Sequence, residues 1–296
     1  MSREIVTANG LLNGLNILHS FGYKRGDSTG WRCVDEHYTV QPGQLTVVTG
    51  WPGSGKSEWL DAMLLNLTRS KWHFAIFSPE NRPTHVHVAK MIEKWAGKPF
   101  GQGPHERLTW DEIKQAADAI DDYFAFLQPE AETPAIIDVL MLAQRFFETN
   151  DHGMKRGLVI DPWNELDHMR PSNLTETEYV SQTLSLIRNW ARAWECHVWI
   201  VAHPAKQRRE DGKLPTPRPD MIAGSQHWWN KADNCIAVQR NYDDADAPVD
   251  ILIQKIRFKH IGRIGTVSLH YDRVTGQYSE PRQEGNVIYS FERSRA

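Results

Sequence analysis

The chain has 296 residues, 40% of them apolar, with 34 Lys and Arg against 37 Asp and Glu, a net charge of -3. This is enough for one large domain, or one domain with appendages, around an ordinary globular core. It excludes binding a polyanion over the whole surface, so any contact with nucleic acid has to come from a local patch.

No apolar run is long enough to span a bilayer, and MSREIVTANG at the start lacks the basic and apolar regions of a secretory signal, so no membrane association and a cytoplasmic protein are expected. Cys33, Cys196 and Cys235 are odd in number and share no metal-ligand spacing. They read as reduced thiols packed as small hydrophobes.

In chain order, Glu4 to His19 places Ile5, Leu11, Leu12, Leu15 and Leu18 at helical spacing, and a polar link follows from Gly22 to Gly30. A helix on such a link either folds back on its own core, the commoner arrangement, or docks on a neighbouring subunit. Pro42 and Gly43 mark a turn. Leu45 to Thr49, LTVVT, then reads as a buried parallel strand.

The next residues, Gly50 to Ser57, read GWPGSGKS. Trp59, Leu60, Met63, Leu64 and Leu67 follow at helical spacing. A strand feeding a G-x-x-x-x-G-K-S loop that opens a helix is a phosphate-binding context. Gly50, Gly53, Ser54 and Gly55 let backbone N–H groups wrap the phosphates, Lys56 reaches the β- and γ-phosphates, and Ser57 ligates Mg²⁺.

Trp72 to Ser78 reads as a second buried strand, ending in Pro79, Glu80 and Asn81. At the end of a strand neighbouring the P-loop, Glu80 either orients an attacking water or caps the helix starting near Thr84. Helical patterns follow at Thr84 to Trp95 and Thr109 to Tyr123. A short strand comes next at Phe124 to Pro129, then a helix at Pro134 to Thr149 with Ile137, Leu140, Met141 and Phe147 towards the core.

GLVIDPWNEL, Gly157 to Leu166, puts Asp161 directly after an apolar run. This is the Walker B arrangement, in which the carboxylate holds Mg²⁺. A helix from Thr177 to Glu195 leads into a strand at His197 to Pro204 that carries His203 at its end. There the histidine is either a γ-phosphate sensor or a packing group.

Pro204 to Pro219 is a loop with five cations, Lys206, Arg208, Arg209, Lys213 and Arg218, against Glu210 and Asp211, a local +3. It reads either as a solvated surface loop or as a grip on a nucleic-acid backbone. Strands close the chain at Asn234 to Arg240, Asp250 to Phe258 and Thr266 to Asp272, the last pairing with the residues ending in Gln277 and Tyr278. Alternation puts Lys255 and Arg257 on one face, either a solvated edge or a pair aimed at phosphate.

The ordered set GWPGSGKS, SPEN, LVIDPWNEL, HVWIVAHPAK, IAGSQHWWNKADN and QKIRF resembles the replicative ring helicases of the DnaB type, most of all the helicase half of Twinkle-like and bifunctional phage primase-helicases. The resemblance covers roughly Gly30 to Tyr278. It implies an α/β RecA-like P-loop NTPase core with a mostly parallel sheet over residues 30–280, a linker helix and connector over 1–29 and a tail over 281–296. It also implies Mg²⁺ with ATP or another NTP or dNTP, Glu80 as the base that orients water, and His203 as the γ-phosphate switch. Lys255 and Arg257 would reach the neighbouring subunit's pocket, Arg257 as the arginine finger. The loop from Pro204 to Gly224 and its flank, with Lys206, Arg208, Arg209, Lys213, Gly224 and Ser225, would bind single-stranded DNA.

The function expected is an NTP-dependent replicative DNA helicase, a ring and most simply a hexamer, working with primase or other replication proteins. The zinc finger and primase domain of bifunctional relatives have no counterpart in the first thirty residues, so primase activity is not expected. A RecA-like recombinase or mediator forming open filaments, and an NTP-dependent switch or loader, are the alternatives.

Overall fold

The computed structural model describes residues 6–150, 152–205, 214–223, 226–244 and 246–281. Glu4 and Ile5 of the expected N-terminal helix, and the expected tail beyond 281, lie outside them. One sheet of nine strands organises the described residues, in the order β3-β2-β4-β5-β1-β6-β7-β8-β9. The strands are β1 (Leu45–Thr49), β2 (Trp72–Phe77), β3 (Phe124–Phe126), β4 (Lys155–Ile160), β5 (Cys196–Ala202), β6 (Asn234–Arg240), β7 (Val249–Ile256), β8 (Gly265–Tyr271) and β9 (Tyr278–Ser279). The first six run parallel to one another, and β7, β8 and β9 add antiparallel strands beyond β6. The fold is RecA-like α/β, as the sequence predicts.

Helices α1 (Leu12–Phe21) and α2 (Arg32–Asp35) precede the first strand. The central strands read as continuous apolar runs because both faces of the sheet are covered. Period-two alternation divides them between two cores. Trp72, Phe74 and Ile76 of β2, with Trp199 and Val201 of β5, face the side that carries α3 (Lys56–Leu67), α4 (Thr84–Ala96) and α5 (Trp110–Asp121). Ala75 and Phe77, with Val198 and Ile200, face α6 (Ile136–Thr149), α7 (Glu176–Ala193) and α8 (Gln226–Lys231). Both α5 and α7 start at a Thr whose hydroxyl accepts from the N–H of a Glu three residues on, Thr109 with Glu112 and Thr175 with Glu178. These reciprocal caps fix the helix starts.

On the side of the first core, near the start of β1, lies a buried polar cluster. His197 Nε2 is 2.8 Å from Thr46 Oγ1, and its Nδ1 is 2.7 Å from the Gln41 carbonyl. Tyr38 Oη lies 3.1 Å from Thr46 Oγ1 and accepts from Trp199 Nε1. Every member has a partner, which offsets the desolvation that burial imposes on it.

Strand β2 is separated from β1 by β4 and β5, an order set by the crossovers that local pattern does not report. Two sequence expectations need correction. The core face of α6 consists of Ile136, Val139, Leu140, Ala143 and Phe147, while Ile137 and Met141 are exposed, because the apolar stripe is rotated by one position. The N-terminal helix α1, preceded by a 3₁₀ turn at Asn9–Leu11, buries no residue. It therefore does not fold back on its own core, and Leu12, Leu15, Ile17 and Phe21 are exposed.

Gly157 in β4 shows how tight the first core is. A Cβ there would sit 2.4 Å from the Phe74 ring and 3.0 Å from Trp199. Gly157→Ala is expected to lower unfolding free energy by about 1–3 kcal/mol through overpacking, read as a shifted denaturant midpoint with an unchanged slope; an unshifted midpoint contradicts the packing.

Candidate functional site: a nucleotide cavity at the sheet's carboxyl edge

At the end of β1 the chain enters Gly50–Gly55 and turns into α3. Gly50 packs so closely on β6 that a Cβ would lie 2.4 Å from the Val238 carbonyl oxygen and 2.6 Å from Ser54 Oγ. Gly55, at the N-cap of α3, has φ 89° and ψ 22°, a left-handed conformation that glycine adopts without strain. The loop thus presents backbone N–H groups at a helix N-terminus, a ready anion cradle.

Lys56 is 5% exposed, and its Nζ donates to the carbonyls of Gly50 at 3.0 Å and Trp51 at 3.2 Å. Burial lowers its pKa, opposed by the negative charges of Asp161 and Glu80. Asp161 follows β4 directly and is buried, with its N–H donating to the Phe77 carbonyl at 2.9 Å. Burial raises its pKa to about 6; the Ser57 hydroxyl and Lys56 oppose this, while Asp61 and Glu80 add to it. Its Oδ1 is buried without a hydrogen-bond partner.

That orphaned oxygen, beside a Ser57 hydroxyl at the helix start, suits Mg²⁺ held by one or two protein oxygens with phosphate completing the shell. No cluster of three or more His, Cys, Asp or Glu ligands is present among the described residues.

Glu80 sits in the 3₁₀ turn Pro79–Asn81 and is exposed. It does not cap α4, whose N-cap is Pro83 with no side-chain hydrogen bond. Its Oε2 lies 3.7 Å from His203 Nε2 instead. Burial, and then the Lys56 charge, lower the pKa of His203, and its Nδ1 is buried without a partner. Although β2 is not adjacent to β1, Glu80, His203 and the P-loop share one cavity of about 300 Å³.

Lys90, Arg240, Tyr271 and Tyr278 also line it, and no sequence motif points to them. Arg240 ends β6, the strand beside β1, and the tyrosines end β8 and begin β9. Tyr278 Oη would be 3.2 Å from a Cβ on Gly55. Their place becomes visible only when the antiparallel strands are known to extend the sheet past β6. Beneath the loop, Asp61 and His87 pair at 3.0 Å and tie α3 to α4; burial alone would lower the pKa of His87, but Asp61 outweighs it and the net shift is upward.

Lys255 and Arg257 do not meet this cavity within the chain. Antiparallel pairing of β7 on β6 brings Ile256 opposite Asn234, at the end of the sheet where β1 begins. About five residues of strand, on the order of 16 Å, separate that edge from the P-loop. Arg257 Nη1 bonds Asp233 Oδ1 at 2.8 Å, with Arg188 at 3.4 Å and Arg192 at 3.9 Å from the same oxygen. Lys255 Nζ donates to the Trp229 and Ala232 carbonyls at the end of α8. Lys206, Arg208, Arg209, Lys213, Gly224 and Ser225 lie outside the described residues.

Fold and site together define a P-loop nucleotide-binding protein with Walker A and Walker B elements in place. The chain belongs to the DnaB-like helicase C-terminal domain family, whose model matches residues 26–280. It is 43% identical over 267 residues to the Twinkle homolog protein, chloroplastic/mitochondrial, of Arabidopsis thaliana, covering 88% of this chain and 37% of that protein. The chain thus spans little more than a third of the curated relative's length. Its fold is similar to that of a DnaB-like replicative helicase described with its interactions with primase, with a TM-score of 0.77 at 17% identity over 94% of this chain and 69% of that one. A solved ATPase domain aligns equally well, TM-score 0.77 at 16% identity over 94% and 100%. The RadB recombinase aligns at 0.56, with 14% identity over 86% and 99%.

The raised pKa of Asp161 has a sign that can be tested. The folded chain holds that proton up to about pH 6, whereas the unfolded chain releases it near 3.8, so stability falls as pH rises across this window. Asp161→Asn is expected to stabilise the nucleotide-free protein by roughly 2–3 kcal/mol at neutral pH, the gain vanishing near pH 4. Chemical denaturation at both pH values checks this; an equal effect at both contradicts it.

Proposed function

We propose that the chain is the motor part of an NTP-dependent replicative DNA helicase. The carrying observation is the division of the catalytic set: P-loop, Asp161, Glu80 and His203 converge at one edge of the sheet, while Lys255 and Arg257 lie at the opposite edge. Those two cations can serve a phosphate only on a second copy of the chain. A ring, most simply a hexamer, lets every cavity receive the next subunit's Arg257. The exposed apolar face of α1 supports the same arrangement by offering each copy a surface that its own core does not cover.

In this reading Ser57 and Asp161 would hold Mg²⁺, which would supply positive charge against the phosphates of ATP or another NTP. Lys56 turns from the Gly50 and Trp51 carbonyls to the γ-phosphate. Glu80 accepts a hydrogen bond from the attacking water and orients it in line. His203, 3.7 Å from Glu80, senses whether the γ-phosphate is present. Arg257 in trans stabilises the charge that develops as the phosphoryl group leaves. The cations of the Pro204 to Gly224 loop grip the backbone of single-stranded DNA, so a change at one interface moves that grip along the strand. A primase is the proposed replication partner, by analogy with the similar helicase described above.

Arg257→Ala is expected to leave nucleotide affinity nearly unchanged while turnover falls by on the order of 10³, measured by equilibrium nucleotide binding beside steady-state hydrolysis. Equal loss of both removes the finger from the scheme. Leu15→Asp with Phe21→Asp should abolish nucleotide-dependent assembly on a mass measurement yet shift stability by less than about 0.5 kcal/mol, since both side chains are exposed. Strand displacement on forked DNA tests the reading as a whole, and images of open filaments in place of closed rings would favour a recombinase.

A further inference from the structure

The nucleotide cavity is lined from Pro52 onward, and Trp51 forms no part of its wall. The Trp51 side chain is nevertheless buried, and its indole Nε1 donates to the Pro215 carbonyl at 2.8 Å. The carbonyl of Trp51 accepts from Lys56 Nζ at 3.2 Å. One residue therefore contacts, through its two polar ends, the ammonium group of the P-loop and a segment 164 positions further along the chain.

That segment closes the loop that leaves β5. Pro204 bridges Ile222, and the Ala205 N–H donates to the Met221 carbonyl at 2.7 Å. It is also held from the other side. Gln254 Nε2 of β7 donates to the Pro217 carbonyl at 2.7 Å, immediately before Lys255. Pro215, Pro217 and Pro219 alternate along the segment. Proline has no N–H, so its carbonyl is the only backbone hydrogen-bonding handle at each of these positions. Fixed φ values also make the segment stiff, so it passes on a displacement that a flexible loop would absorb.

We propose that Trp51 is a positioning residue that couples nucleotide occupancy of the P-loop to the segment 214–222, with Pro215 to Pro219 as the stiff link and Gln254 as its second anchor. When Lys56 leaves the Trp51 carbonyl for a γ-phosphate, the Trp51 peptide is released from one of its two holds, and its indole carries the change to Pro215. Because Gln254 grips the same segment next to Lys255, the strand bearing Arg257 is tied to the same movement. This inference rests on the helicase reading above for the loop's ligand.

The test uses the full chain, a poly-dT oligonucleotide and a non-hydrolysable ATP analogue. The affinity for poly-dT is measured with and without the analogue, and the affinity for the analogue with and without poly-dT. In the wild type the two ratios are equal by linkage and are expected to be about tenfold. Trp51→Phe keeps an aromatic ring and removes the donor; it should bring both ratios down together to within about twofold of one. Gln254→Met keeps side-chain length and removes the other hold; it should reduce both ratios in parallel and serves alone if Trp51→Phe does not fold. Unchanged ratios in the variant measured overturn the coupling through Trp51. A wild-type ratio of one overturns the helicase reading as well, so the two failures are distinguishable.

Discussion

The structure depends on burying two opposite charges at the carboxyl edge of a parallel sheet. Lys56 and Asp161 are both nearly inaccessible, and burial disfavours the charged form of each. Neither is relieved by a close partner of matching strength: the ammonium makes do with two carbonyls, and one carboxylate oxygen has no hydrogen bond. Such a site is costly in isolation and becomes favourable when a polyphosphate and a divalent cation supply the missing counter-charges. The crossover helices, the glycines of the loop and the apolar strands all hold that unfinished electrostatic arrangement in place.

Much of this can be read in the sequence, because the two anchors are local. GWPGSGKS between a β-branched run and an amphipathic helix, and LVID before a turn, state their chemistry within a short stretch of chain. Glu80 and His203 are legible for the same reason, as polar residues just past apolar runs. What is hidden depends on the third dimension. Arg240 reaches the cavity because β6 lies beside β1, and Tyr271 and Tyr278 because β7, β8 and β9 extend the sheet past β6, an order no local pattern carries. The pairing of Glu80 with His203 crosses strands that are not neighbours in the chain. The α6 stripe lies one position away from where its pattern points, because Ile137 and Met141 are apolar yet face outward.

Sheet polarity gives the molecule two unlike edges. Six parallel strands point their carboxyl ends at the nucleotide cavity, and antiparallel β7 returns to the other edge with Lys255 and Arg257 at its end. There Asp233 receives the Leu45 N–H on one carboxylate oxygen and three arginines on the other. In the proposed ring, a single acid among several guanidinium groups would make that edge the complement of a neighbour's phosphate-holding edge, and head-to-tail association is the arrangement that pairs two unlike faces.

The polar cluster around His197 bears on behaviour in acid. Burial pushes this imidazole down to about 3, so between there and its ordinary 6.5 the unfolded chain takes up a proton that the native one refuses, and acidification weakens the fold. Asp161 has the opposite slope between about 4 and 6. Over that interval the two contributions, each about 1.4 kcal/mol per pH unit, run against one another. Within the shared interval the contributions of these two groups offset one another, and the histidine's penalty stands uncompensated by Asp161 only on either side of it.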